Sequence, residues 1–226
     1  MKLTIMMILV AKVAFASPEP SIEEIQAKFD EAAIAWHRID QVNWPAFPYH
    51  PLAEFRIMHS ETEIYLQFHV CEQGARATYD YDAGSLPYKD DCVEFFMIPS
   101  DRDPSYFNLE MNCIGHGTFH YGPTLEERHR CGDEIVHQIR RHSTLGSEAF
   151  GTREGEQEWT LTVAIPKRLY AQVDLDLTQF SGRTVRANFY KCGDDTAVPH
   201  FLSWNPIDTP KPAFHVPRCF GEIHFE

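Results

Sequence analysis

Along most of the chain, apolar and polar residues alternate with a period of two. Ile64, Leu66, Phe68 and Val70 alternate with Glu63, Tyr65, Gln67 and His69. The same pattern recurs at Val93, Phe95 and Met97; at Phe107, Leu109, Met111 and Cys113; at Trp159, Leu161, Val163 and Ile165; and at Val185, Ala187 and Phe189. Each run predicts a half-buried strand with one apolar face. Pro45–Pro48, Ala83-Gly84-Ser85, Gly115-His116-Gly117 and Ser181-Gly182 punctuate the runs, and Pro206, Pro210, Pro212 and Pro217 punctuate the tail. Many strands without alternating helices predict an all-β antiparallel sandwich of immunoglobulin-like or jelly-roll type.

Two segments break this period. Ser21-Ile22-Glu23-Glu24 has the form of a capping box, and Ile22, Ile25 and Phe29 follow at helical spacing, which predicts a short helix near residues 22–33. Before it, Met1–Val10 holds a single charge, Lys2, and runs apolar through Leu3 and Ile5–Val10, and Val13-Ala14-Phe15-Ala16 ends small-x-small. That pattern is expected of an export leader cleaved after Ala16, giving a secreted or periplasmic protein; a buried N-terminal helix is the alternative. The expected division is a leader at 1–16, a helical lead-in at 17–34 and one sandwich at 35–226. No segment supplies the roughly 20 apolar residues of a membrane span.

Composition narrows the function. The 226 residues carry 20 Lys and Arg against 33 Asp and Glu, a formal net charge of −13. Proteins that grip nucleic acid or anionic lipid by charge need a basic footprint, so no nucleic-acid or membrane partner is expected. Of the six cysteines, Cys92 and Cys113 fall inside strands, whereas Cys71, Cys131 and Cys219 are the better candidates for disulfides. No two have the close spacing of a zinc site.

The polar faces of the strands are unusual in kind. Asn108, Glu110 and Asn112 share one; Arg186, Asn188 and Tyr190 another; Glu94 and Phe96 a third, with Tyr88 just ahead. Amides, carboxylates, an Arg and rings suit a sugar, whose C–H faces stack on aromatics and whose hydroxyls pair with bidentate groups. A solvated, cross-strand-paired face has the same composition. Tyr88-Lys-Asp-Asp-Cys-Val-Glu-Phe-Phe96, Tyr106–Asn112, Asn188–Asp194, Ser203-Trp-Asn-Pro-Ile207, Pro210–His215 and the closing Phe220–Phe225 occur in this order. Together they resemble carbohydrate-binding module family 9, in the form of stand-alone exported bacterial proteins, from about residue 35 to the C-terminus.

The resemblance implies a β-sandwich that binds an oligosaccharide or polysaccharide without catalysis, with structural calcium as a known family feature. It implies Trp204 and Tyr88 as the two stacking rings, although better-studied members have Trp at the second position. It places Glu94 on the sugar hydroxyls, with Asn112, Arg186 and Asn188 as floor residues. It leaves room for a partner glycoside hydrolase and suits a monomer.

Other chemistries are weighed beside it. Glu94 and Glu110 are a candidate glycosidase pair, since neighbouring strands can supply the carboxyl separation. Met97 and Met111 with the 12 His suggest a haem-binding redox sandwich, and His116, His120, His129, His137 and His142 suggest a divalent metal. Asp80/Asp82, Asp90/Asp91, Asp174/Asp176 and Asp194/Asp195 are oxygen donors for calcium, with turn-capping the ordinary role of such pairs and no metal ligand assigned.

Overall fold

The computed structural model describes residues 7–173 and 177–226. In chain order these comprise strand β1 (Met7–Lys12), helix α1 (Ile22–Glu31), short strands β2 (His37–Arg38) and β3 (Gln41–Val42), and the long pair β4 (Leu52–His59) and β5 (Glu63–Ala77). A meander follows: β6 (Cys92–Ile98), β7 (Tyr106–Asn112), β8 (Gly117–Gly122) and β9 (His129–Arg130). Helix α2 (Asp133–Val136), β10 (Arg140–Ser143), β11 (Gly151–Pro166), β12 (Thr184–Gly193), β13 (His200–Ser203) and β14 (Gly221–Phe225) complete the order.

The strands form a path β10-β11-β5-β4-β1-β14-β12-β6-β7-β8-β9 that curls into a sandwich. Parity decides which side chains meet inside. Val93, Phe95, Met97, Leu109, Met111 and Phe189 face Phe55, Leu66, Phe68, Trp159 and Leu161 across one core. The stack of Phe55 on Phe189, with centroids 3.5 Å apart, and of Phe95 on Phe189 at 4.8 Å, ties the layers together. Every strand expected from alternation is present. Met97 and Met111 are sealed in this core, out of reach of a haem iron.

Helix α1 is the expected one, ending at Glu31. Ser21 Oγ accepts from Glu24 N and Glu24 Oε2 from Ser21 N, so both halves of the capping box are made. Its Ile25 and Phe29 pack on Met58, Tyr65 and Ala164.

In the full chain the segment expected to be a leader is described from Met7 onward. From Met7 it is a strand, pairing in parallel with β14 through Val10 and with β4 through Ala11 and Lys12, so it joins the two sheets. Ile8 and Val10 enter the core while Met7 and Leu9 face out. An apolar run satisfies both a leader and a buried strand, and here the chain has two open strand edges for it to fill. Cleavage after Ala16 would remove that join.

The cysteines also differ from expectation: all six are free thiols, Cys71 lying within β5 and the other five buried. Among the described residues no helix is long and apolar enough to cross a membrane.

Candidate functional site

The outward face of β6, β7 and β12 is roofed by the chain from Asn205 to Phe220, and the roof leaves a cleft of about 830 Å³. Its lining includes Tyr88, Glu94, Glu110, Arg128, Phe214 and His215. Two loops build it.

The first carries Tyr88 in a short 3₁₀ turn, Pro87–Lys89. Asp90 anchors it: Oδ2 accepts from Thr78 N at 2.8 Å and Tyr79 N at 3.1 Å, and Oδ1 from the Thr78 hydroxyl at 2.7 Å. Asp194 N donates to Tyr88 O at 2.9 Å, clipping the turn to the end of β12. Asn112 belongs to this scaffold. Its Nδ2 donates to Tyr79 O and Asp90 Oδ2, and its Oδ1 accepts from His116 N, so no polar group remains for a ligand.

The second loop is the roof. Asn188 holds it, with Nδ2 donating to Asn205 O at 3.0 Å and Oδ1 accepting from Asn205 N at 2.8 Å. Arg186 donates to Pro217 O and Arg218 O at 2.8 and 3.0 Å. The Tyr190 hydroxyl donates to Phe214 O, and its ring stacks on Phe214 with centroids 4.2 Å apart and planes at 8°. The expected floor residues Asn112, Arg186 and Asn188 thus position the cleft's loops and do not line it.

Trp204 is not a wall of the cleft. It is 2% exposed and lies inside the sandwich, edge-on to Phe55 and Phe189 at 6.1 and 5.8 Å. Trp204 N donates to Phe189 O, and the ladder of β13 on β12 fixes the parity: Leu202 and Trp204 point in, Phe201 and Ser203 out. The aromatic residues on the cleft are Tyr88, Phe201 and Phe214.

The polar part of the cleft is a connected set. Glu94 and Glu110 lie directly opposite each other on β6 and β7. Burial pushes both carboxyls above the ordinary range, and for Glu94 the neighbouring Cys192 and Glu110 push further in the same direction. Two carboxylates sharing a dry site do not both ionise. Glu110 has the stabilising partners, Asn108 Nδ2 at 2.8 Å and Arg128 Nη1 at 3.7 Å, so Glu94 carries the proton. The Cys192 thiol donates to Glu94 Oε1 at 3.3 Å. Arg128 Nη1 donates to His215 Nε2 at 3.3 Å, so the neutral His215 ring keeps its proton on Nδ1 and gives it to the Tyr106 hydroxyl oxygen at 2.8 Å. Burial, reinforced by Arg128, pulls His215 down to about 3 and keeps it neutral. Beside the cleft, Asn108 Oδ1 and Arg128 Nε are buried without a partner.

Glu94 and Glu110 stand side by side on one floor. A glycosidase needs its carboxyls on either side of a scissile bond, which adjacent positions of one ladder do not provide. Asp82, Asp90, Asp91 and Asp195, among the paired aspartates, have partners within the protein. Asp90 and Asp91 accept from backbone N–H groups, Asn112 and Lys191; Asp82 accepts from Gly117 N and Arg141; and Asp195 pairs with Lys89. Asp174/Asp176 lie outside the described residues. His116 and His137 turn to Asp82, at 3.3 and 3.1 Å.

Beneath the first loop a second polar set is sealed off. The Lys191 ammonium lies 2.8 Å from Glu72 Oε2, 2.9 Å from Asp91 Oδ1 and 2.6 Å from His200 Nε2, fully buried. It occupies the place a cation would take among those three.

A sequence model of carbohydrate-binding family 9 matches residues 23–225. The chain belongs to that family. A solved structure of a candidate carbohydrate-binding protein from Bacteroides uniformis is 37% identical, with a TM-score of 0.93 over 99% of this chain and 100% of that one. Two structures of a family 9 module from Caldicellulosiruptor kristjanssonii, one with glucose and one with cellotriose, are 16% identical. Each has a TM-score of 0.60 over 98% of this chain, and 96% and 94% of theirs, so they share its fold. No curated protein matches. Family 9 members are non-catalytic binding modules, in accord with the arrangement of Glu94 and Glu110.

Of the sequence-expected residues, Tyr88 and Glu94 come together on the cleft; Asn112, Arg186, Asn188 and Trp204 do not. Glu110 shares the parity of Asn108 and Asn112, a signal open to the sequence. Arg128, Phe201, Phe214 and His215 come from loops and the short strand β13, with no periodicity to announce them.

Proposed function

We propose that the cleft between Tyr88 and the Phe214–His215 roof binds a carbohydrate without transforming it. What carries this reading is the convergence of the Tyr88 and Phe214 rings with Glu94, Glu110 and Arg128 on one cleft of about 830 Å³. A protonated carboxyl beside an ionised one offers both a donor and acceptors, the demand made by neighbouring sugar hydroxyls. Tyr88 and Phe214 supply the stacking surface. The unpartnered Asn108 Oδ1 and Arg128 Nε support a polar ligand, because buried polar atoms left unpaired are costly.

The Caldicellulosiruptor modules are described with glucose and cellotriose, so gluco-configured mono- and oligosaccharides are the first ligands to test. Calorimetric titration of the full chain against such a panel should give saturable binding of modest affinity, since ordering costs offset much of the contact energy. A folded protein that gives no saturable heat with any sugar of a broad panel overturns the proposal. Release of sugar from an oligosaccharide overturns its non-catalytic part.

A further inference from the structure

On the opposite layer, away from the cleft, three ligand-type side chains from two strands converge at the surface. His69 and Cys71 are two residues apart on β5, so the pleat points both to the same side. In the flanking ladders Glu54 of β4 is opposite His69, and Glu158 of β11 is opposite Cys71. His69 Nε2 is 2.9 Å from Glu158 Oε1 and 3.6 Å from Cys71 Sγ, and these ligand atoms all lie within 4.8 Å of one another. On the other side of the ring, His69 Nδ1 is 3.0 Å from Glu54 Oε1. Trp36 lies against the imidazole, its centroid 5.9 Å away.

The nitrogen–sulfur distance matches an edge of a coordination polyhedron, whereas the 2.9 Å from His69 Nε2 to Glu158 Oε1 is that of the hydrogen bond a bound ion would replace. A tetrahedral ion with a metal–sulfur bond of ~2.3 Å and a metal–nitrogen bond of ~2.0–2.1 Å has an N–S edge of about 3.6 Å. The observed separation is 3.6 Å. The Nδ1–H to Glu54 hydrogen bond is the carboxylate–histidine arrangement that fixes the tautomer and aim of a ligating imidazole. A thiol and an imidazole exclude a hard, oxygen-seeking cation and suit zinc and its neighbours.

We propose that His69, Cys71 and Glu158 form a surface site for a borderline-soft divalent cation of the zinc type, with Glu54 as the positioning residue for His69. Glu158 is largely exposed, so solvent reaches the fourth position. In the metal-free protein a proton on Nε2 bridges to Glu158. Burial pulls the His69 imidazolium down, but its hydrogen bonds and charge contacts with Glu54 and Glu158 outweigh that and raise it. Burial pushes the Cys71 thiol up, and so do the negative charges of Glu158, Glu156, Glu54 and Glu72, the same field that attracts a divalent cation. On binding, the Nε2 proton and the thiol proton leave to buffer as the metal–nitrogen and metal–sulfur bonds form, with no change of oxidation state.

The test is titration of the full chain, kept reduced, with Zn²⁺ by calorimetry and with Co²⁺ by absorption. The expected result is one ion per chain, proton release, and a thiolate-to-cobalt band with the intense visible bands of tetrahedral cobalt. Cys71→Ser should abolish the thiolate band. Glu54→Gln should keep it while weakening affinity about 10–100-fold, which a merely structural role would not do. Unaltered thermal unfolding of both variants confirms the fold. Absence of a thiolate band in the wild type overturns the site. So does a band that survives Cys71→Ser, which would move the metal to the buried Cys92, Glu94 and Cys192. Binding of Ca²⁺ in preference to Zn²⁺ overturns the ligand class.

Discussion

Replacing Trp204 by alanine should destabilise the fold and spare the cleft. The indole is 2% exposed and packs edge-on against Phe55 and Phe189, the rings that join the two layers. Truncating a buried aromatic in such a setting costs about 3–5 kcal/mol, the transfer loss plus the cavity that remains. For a domain of this size, 1 kcal/mol shifts the melting point by about 2–4 °C, so Tm should fall by roughly 6–20 °C. The backbone bond from Trp204 N to Phe189 O survives the substitution, which keeps β13 in place and Phe201 at the cleft. The assay is calorimetric unfolding, followed by sugar titration well below the lowered Tm. Sugar affinity of the folded variant should stay within about twofold of wild type, a difference below 0.5 kcal/mol. A variant that melts like wild type and has lost sugar binding would return Trp204 to the site.

Three other outcomes follow from the buried polar groups and the first strand. Lys191→Met leaves Glu72 and Asp91 buried without their ammonium, and urea titration should read a loss of about 3–5 kcal/mol. A loss below 1 kcal/mol on the same scale would mean the network is not the closed set described. Asp82 is held down at about 2, where its bonds to His116, Gly117 N and Arg141 outweigh burial. Its stabilisation is complete above the ordinary carboxyl value of 3.8 and is lost as pH falls through about 2, a change of about 2 kcal/mol. Asp82→Asn should remove that part of the acid dependence, and an identical slope in the variant would count against it. A chain beginning at Ser17 lacks Ile8 and Val10 in the core, an apolar burial of about 3–6 kcal/mol, and uncovers the edges of β4 and β14. It should melt well below the full chain, whereas equal melting points would show that β1 is dispensable.

Alternation made the strands legible, because a half-buried strand has only one way to hide its apolar residues. The capping box made α1 legible for a similarly local reason. What period two does not encode is what covers the outer face. Asn112, Arg186 and Asn188 are on the expected polar face, yet the loop and the roof lie over them and take their hydrogen bonds. Trp204 and Phe214 both sit in a Pro-rich tail, and only the register of β13 against β12 tells which ring turns inward. Met7–Lys12 is ambiguous in the same way: its apolar run meets the need of a leader and of a strand, and in the full chain it pairs with residues 58–59 and 222–225. Tyr88 and Glu94 were legible because they flank the start of one well-marked strand.

The proposed sugar site is the cleft under the Phe214–His215 roof. Its most direct test is the affinity of Phe214→Ala and Glu94→Gln, relative to wild type, for the best sugar of the panel. Phe214 offers its ring to the cleft and Glu94 its proton, so each variant should weaken binding at least about tenfold, or 1.4 kcal/mol, while remaining folded. Affinity unchanged in both variants would place the sugar elsewhere and contradict the claim.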